Sequence, residues 1–357
     1  MKPVLVVIEW HRLGDAILAL SFINGAVATY DVRVICTSLT KPIFEMALPS
    51  EHIVVCDPPW EGGGLGAWRQ ALHILRALSP SVVVSVWADV RVHLLMAMSR
   101  ASRRVGFPMT ETNYYASRVP WRQRNRRLGR VMEWLAPVLV GRSLLTDLLH
   151  RKDTSQSHLQ AWRQVAEVVN VAWSTPVPWM SAKPYARPLP HHKPLWLIHP
   201  GARKAVRQWS SDRFEAVVRA QVEAGHPVVV VKPPDSAGLS IAHPLISTVA
   251  PESFSELAGL VNSVDAVLCN DSAVSHLAAA LGRKVVCIFG PMDPGIYAPY
   301  GNESHVVAQD VCPWRPCLDT CRMPSPICLE AVTVEMVLAE MTAVENELSA
   351  GKASEPL

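Results

Sequence analysis

Residues 266–282 read Ala-Val-Leu-Cys-Asn-Asp-Ser-Ala-Val-Ser-His-Leu-Ala-Ala-Ala-Leu-Gly, and their order decides the fold. Ala266, Val267, Leu268 and Cys269 form a short unbroken apolar run, the mark of a strand buried on both faces of a parallel sheet. Asn270, Asp271 and Ser272 are turn formers. Residues 275–281 are helical in character, and Gly282 closes that helix. A second strand, residues 285–289, leads straight into Gly290-Pro291. Strand, helix and strand make a βαβ unit, whose strand-end turns share one edge of the sheet. Ser272 and the N–H groups around Ala273 then form an anion cradle at a helix N-terminus. His276, one turn in, either meets a phosphate or braces the loop.

Working outward, residues 195–198 are another strand, followed by His199-Pro200-Gly201-Ala202 and then Arg203, Lys204 and Arg207. A glycine turn with three cations suits a diphosphate; the other reading is a solvated basic loop. Helix 212–224 and strand 227–231 continue the alternation. Upstream, residues 176–194 carry six prolines and read as a linker. The N-terminal half alternates in the same way, with strands at 3–8, 32–36, 53–56 and 82–87 and helices at 16–29 and 67–78. Gly14-Asp15 lies just after its first strand, where Asp15 either caps the helix or points outward as a general base. The pattern predicts an α/β protein of two Rossmann-like domains with parallel sheets facing across a cleft. The boundaries are 1–175 for the first domain, 176–193 for the linker, 194–330 for the second domain and 331–357 for a C-terminal helix and tail.

Hydrophobic residues make up 49% and charged residues 18% of the 357, with a net charge of +3. This excludes a disordered chain, and the charge is too small to argue for nucleic acid. No run reads as a membrane span. The apolar start is broken by His11, Arg12 and Asp15, so it reads as a buried strand rather than a signal peptide. A cytosolic location follows, where cysteines stay reduced.

Asn-Asp-Ser-Ala-x-x-His-x-x-Ala-Ala-x-Gly at 270–282, with Phe-Gly-Pro-x-Asp-Pro at 289–294, resembles the ADP-heptose:lipopolysaccharide heptosyltransferases, glycosyltransferase family 9. Arg12-Leu13-Gly14-Asp15, Arg104-Val105-Gly106-Phe107 and His199-Pro200-Gly201-Ala202 match in the same order. The resemblance implies a GT-B fold and an inverting transferase without a catalytic metal, in keeping with the lack of a suitably placed Asp-x-Asp motif. It implies Asp15 as base. Gly14, Lys204, Arg207, Asp271, Ser272, Ala273, His276, Gly290 and Pro291 would form the donor and phosphate site. It also implies an ADP-heptose donor, a lipopolysaccharide-core or other surface-glycan acceptor, and a final helix that packs back on the first domain. Where the family has a Lys before the loop tryptophan, this chain has Arg207, which keeps the charge but changes its geometry. Asp235 stands where a ribose-binding acid is expected. Competing readings are another GT-B transferase or epimerase, a non-catalytic sugar-nucleotide or glycan binder, and a solute-binding protein. The retained Asp15 and the missing signal peptide weigh against the last two.

Six arginines crowd residues 118–130, among them Arg118, Arg122 and Arg124. They read as a solvated loop or as the site of an anionic acceptor, in peripheral contact with the inner face of an anionic membrane. Cys312, Cys317, Cys321 and Cys328 fall within seventeen residues rich in proline and suggest a structural Zn or Fe knuckle, with free thiols as the alternative. Cys36, Cys56, Cys269 and Cys287 sit in predicted strands and read as core.

Overall fold

The computed structural model describes residues 2–61, 64–108, 144–150, 156–173, 177–233, 238–317 and 320–353. The chain divides into two compact units, Met1–Trp179 and Met180–Leu357.

The first unit is built on β1 (Val4–Glu9), whose Val-Leu-Val-Val-Ile run has no solvent face and therefore sits mid-sheet. Around it lie β2 (Asp31–Cys36), β3 (Ile53–Val55), β4 (Val82–Ser85), β5 (Arg103–Gly106) and β6 (Asp147–Leu148). All pair in parallel, in the order β3-β2-β1-β4-β5-β6. The crossovers include α1 (Leu13–Thr29), α2 (Gly64–Ala77) and α3 (Val90–Met98). Helix α1 packs on α4 (His158–Val168), with Phe22 stacked on Trp162 at a centroid distance of 5.3 Å. Both rings are fully buried.

The second unit repeats the plan. Its strands are β7 (Trp196–His199), β8 (Val228–Val231), β9 (Ile246–Val249), β10 (Ala266–Asn270), β11 (Lys284–Phe289) and β12 (Val306–Ala308). They run in parallel in the order β12-β11-β10-β7-β8-β9. Numbered from its own first strand, each sheet has the order 3-2-1-4-5-6. The chain leaves the central strand in one direction, then returns to its other side. The crevice at that reversal is where ligands of such sheets bind. In the two units it lies between β1 and β4, and between β7 and β10.

Helices α5 (Ser211–Glu223), α6 (Phe254–Asn262) and α7 (Ala273–Ala280) cover the second sheet, together with α8 (Val334–Ala353). The apolar stripe of α8 is taken up by this unit: Val337, Met341 and Val344 are fully buried with Trp196, Phe214 and Val286. Each such side chain contributes about 2 kcal/mol. Trp196 Nε1 donates to Glu345 Oε1 at 2.8 Å, and His305 bonds Glu340 at 2.7 Å. Spacing gives the face of a helix but not its partner. Cys36, Cys269 and Cys287 are buried as expected, whereas Cys56 lies past β3 and is partly exposed.

Candidate functional site

At the second crevice one side chain ties both ends of the connection after β7 to the end of β10. Asn270, the last residue of β10, donates from Nδ2 to the carbonyl of Pro200 at 2.7 Å, and its Oδ1 accepts from Trp209 N at 3.0 Å. Trp209 Nε1 in turn donates to Val332 O at 3.0 Å. Gly201 follows β7, and an added Cβ there would stand 2.8 Å from Pro233 Cγ, so only glycine lets the loops after β7 and β8 meet.

Beyond Asn270, Ser272 opens α7 in an extended conformation (φ −156°, ψ 170°), with its side chain making no capping bond. Ser272 Oγ is buried and has no hydrogen-bond partner among the described residues. A buried hydroxyl left in that state costs free energy unless something accepts or donates to it. Arg207 Nη1 lies 3.2 Å from Asp271 Oδ2. His276 is buried one turn into α7, and Gly290-Pro291 is buried at the end of β11. Asp271, Ser272, Arg207, Gly290 and Pro291 belong to the connections that follow strands of this sheet, and Ala273 and His276 to the first turn of α7, with Lys204 exposed three residues before Arg207. Burial lowers the pKa of His199 to about 4, so its imidazole is neutral. A ligand here meets one guanidinium, one hydroxyl and the start of a helix, which suits an anion.

Gly14 and Asp15 are in the other unit, in the first turn of α1. Asp15 is a cap as well as a candidate base: its Oδ2 accepts from Arg12 N at 3.4 Å, while Oδ1 is 3.2 Å from His158 Nδ1. Next to it, His11 Nδ1 bonds the fully buried Glu9 at 2.5 Å. Burial opposes a charge on His11, but Glu9, with Asp15 and Asp89, holds its pKa above the usual value. The sequence reading missed Glu9 and His11; a carboxylate ending a buried strand was the available signal.

A pocket of about 170 Å³ opens beside them, walled by Trp10, Trp60 and Trp87 with Asp89 and Arg91. The three tryptophans come from three separate strand-end loops, so no local pattern announces them.

Two expectations fall elsewhere. Asp235 and Arg118, Arg122 and Arg124 lie outside the described residues. Among the described residues, the four tail cysteines included, no three His, Cys, Asp or Glu are arranged to hold an ion. Burial, followed by the neighbouring Cys321, Cys328 and Cys312, raises the Cys317 pKa, and burial also raises that of Cys328. Hydrogen bonds hold the segment, such as Cys317 N to Pro291 O at 3.0 Å and Arg315 Nη2 to Met292 O at 3.1 Å. No helix among the described residues is long and apolar enough to cross a membrane.

The model of glycosyltransferase family 9 (heptosyltransferase) matches residues 140–325. Lipopolysaccharide heptosyltransferase 3 of Escherichia coli is 28% identical over 116 residues, which are 30% of this chain and 34% of that protein. The match thus spans about a third of that relative's length. Among solved structures, E. coli ADP-heptose lps heptosyltransferase II superposes with a TM-score of 0.67 at 16% identity, covering 98% of this chain and all of that one. E. coli heptosyltransferase WaaC with ADP-2-deoxy-2-fluoro heptose gives 0.66 at 15% identity, covering 95% and 99%. At such identities the likeness is one of fold, and that fold is GT-B.

Proposed function

The chain belongs to glycosyltransferase family 9, and from that premise we propose that it transfers a sugar from a nucleoside-diphosphate donor to a hydroxyl of a glycan. The observation that carries the reading is the buried Ser272 Oγ at the start of α7, without a hydrogen-bond partner among the described residues and next in sequence to the Asp271 that Arg207 holds. A diphosphate supplies what that hydroxyl lacks. The donor is an ADP-sugar, with heptose the sugar, and the acceptor is a lipopolysaccharide core or another surface glycan at the cytoplasmic face of the membrane. The WaaC structure, whose ligand is an ADP-fluoroheptose, supports the choice of nucleotide.

In the reaction the acceptor oxygen attacks the anomeric carbon as the bond from that carbon to the diphosphate breaks, inverting the centre. The hydroxyl proton passes to Asp15. Negative charge gathers on the leaving diphosphate, where Arg207, Lys204, Ser272 and the N–H groups of α7 stabilise it without a metal ion.

Calorimetric titration against ADP, UDP, GDP and TDP tests the donor. ADP is expected to bind selectively; a preference for another base would end the heptose assignment, and binding of none would end the donor site. Asp15→Ala is expected to lower turnover by about 10²–10⁴-fold with ADP affinity unchanged. Loss of ADP binding in that variant would remove Asp15 from the base role.

A further inference from the structure

We propose that the tryptophan-walled pocket of the first unit holds one uncharged sugar ring, stacked on Trp87, as the acceptor end of the reaction. This rests on the transfer reading above. The pocket lies at the reversal between β1 and β4, where a sheet of this order takes its ligand. At about 170 Å³ it is smaller than the usual site for a drug-sized molecule and suits a single ring.

Its walls are rigid. Trp10 Nε1 donates to Cys56 O at 2.6 Å. Trp60 meets Trp10 edge-on, with centroids 5.4 Å apart, and carries the Arg91 guanidinium 4.2 Å above its face. Trp87 rests on His11 with centroids 4.0 Å apart, yet remains 43% exposed. An indole braced from one side and open on the other is a platform. Its electron-rich face attracts the C–H groups of a pyranose, as it attracts the positive edges of other rings.

The charges decide which ring. The two cationic groups of the wall each already face a carboxylate. Arg91 grips Asp89 through Nε at 2.9 Å and Nη2 at 2.5 Å, and His11 holds Glu9. Glu61 adds a further negative charge. Among the described residues that line the pocket, an acidic sugar would meet carboxylates with no spare cation to offset them, whereas hydroxyls find acceptors.

Saturation-transfer NMR on the full chain, with methyl hexopyranosides and separately with a hexuronic acid, reads this pocket without turnover. The neutral glycosides are expected to show saturated ring protons in the wild type. The signal should fall about tenfold in Trp87→Ala and persist in Trp87→Phe. Asp89→Asn keeps the shape of the wall but unmasks Arg91, and should bring the hexuronic acid above the neutral sugars. A wild-type preference for the acid, equal signals in wild type and Trp87→Ala, or no saturation with any sugar would overturn the proposal. ADP titration of the same samples separates the two readings. Normal ADP binding without sugar saturation sinks this pocket alone, and loss of both sinks the transfer reading as well.

Discussion

Arg207 and Asp271 come from loops after different strands, yet their side chains meet at 3.2 Å and are only 17% and 5% exposed. Removing the cation would leave a buried carboxylate without its counter-charge, at a cost of about 3 kcal/mol. Arg207→Ala should therefore lower the thermal midpoint as well as weaken ADP binding. Arg207→Lys should recover most of the stability but less of the binding, because a point charge lacks the planar fork. Calorimetry on both variants checks this; an unchanged midpoint in Arg207→Ala would contradict it.

Ser272→Ala should separate binding from stability. The hydroxyl caps nothing and has no partner among the described residues, so its removal should leave the ligand-free protein as stable or more stable by about 1 kcal/mol. ADP affinity should nevertheless fall about tenfold. Urea unfolding and titration of the same sample give both numbers, and a clear loss of stability would mean that the hydroxyl is structural.

Gly290 is tested by a pair of substitutions. A Cβ at this position would lie 2.5 Å from Leu329 Cγ, and Leu329 is 2% exposed on the single helical turn Ile327–Glu330. Gly290→Ala should cost about 2 kcal/mol by overpacking. Combined with Leu329→Ala it should cost less than the sum of the two, since the smaller side chain makes room for the methyl. Additive losses in urea unfolding would show that the contact is not the cause.

Stability should fall with acid. Burial holds both His93 and His199 at a pKa of about 4, against 6.5 for an ordinary histidine, with Asp89 partly offsetting the effect at His93. Between those values the unfolded chain binds protons that the folded chain refuses. Their contribution is therefore present above pH 6.5 and lost as the pH falls towards 4, by roughly 3 kcal/mol per histidine. His11, with its raised pKa, acts in the opposite sense: its contribution is present below pH 6.5 and lost as the pH rises through its folded value. A lower urea midpoint at about pH 5 than at about pH 7.5, with a flatter profile in His93→Gln, is the expected result.

The inner strands were legible because Val4–Glu9, Val228–Val231 and Lys284–Phe289 are apolar apart from Glu9 and Lys284 at their ends, and are buried on both faces apart from Val4 and Lys284. The edges were not. Asp147–Leu148 and Val306–Ala308 are two and three residues long, and Ile246–Val249 is only partly buried, too little for a periodicity to register. In the same way Asp271 and Ser272 stood out as part of one contiguous motif. Trp10, Trp60 and Trp87 are brought together only by the parallel sheet. Asp15 showed two possible roles in sequence, and the structure gives the cap without excluding the other, since one carboxylate has an oxygen for each neighbour.

Both sheets follow one strand order, so the loop after β1 corresponds to the loop after β7, and the loop after β4 to the loop after β10. The molecule uses one blueprint twice and varies it in the turns. On the proposed reading, transplanting the turns of one half from a relative would alter the nucleotide preference or the glycan preference alone, so the two could be re-engineered, or drift apart over descent, one at a time.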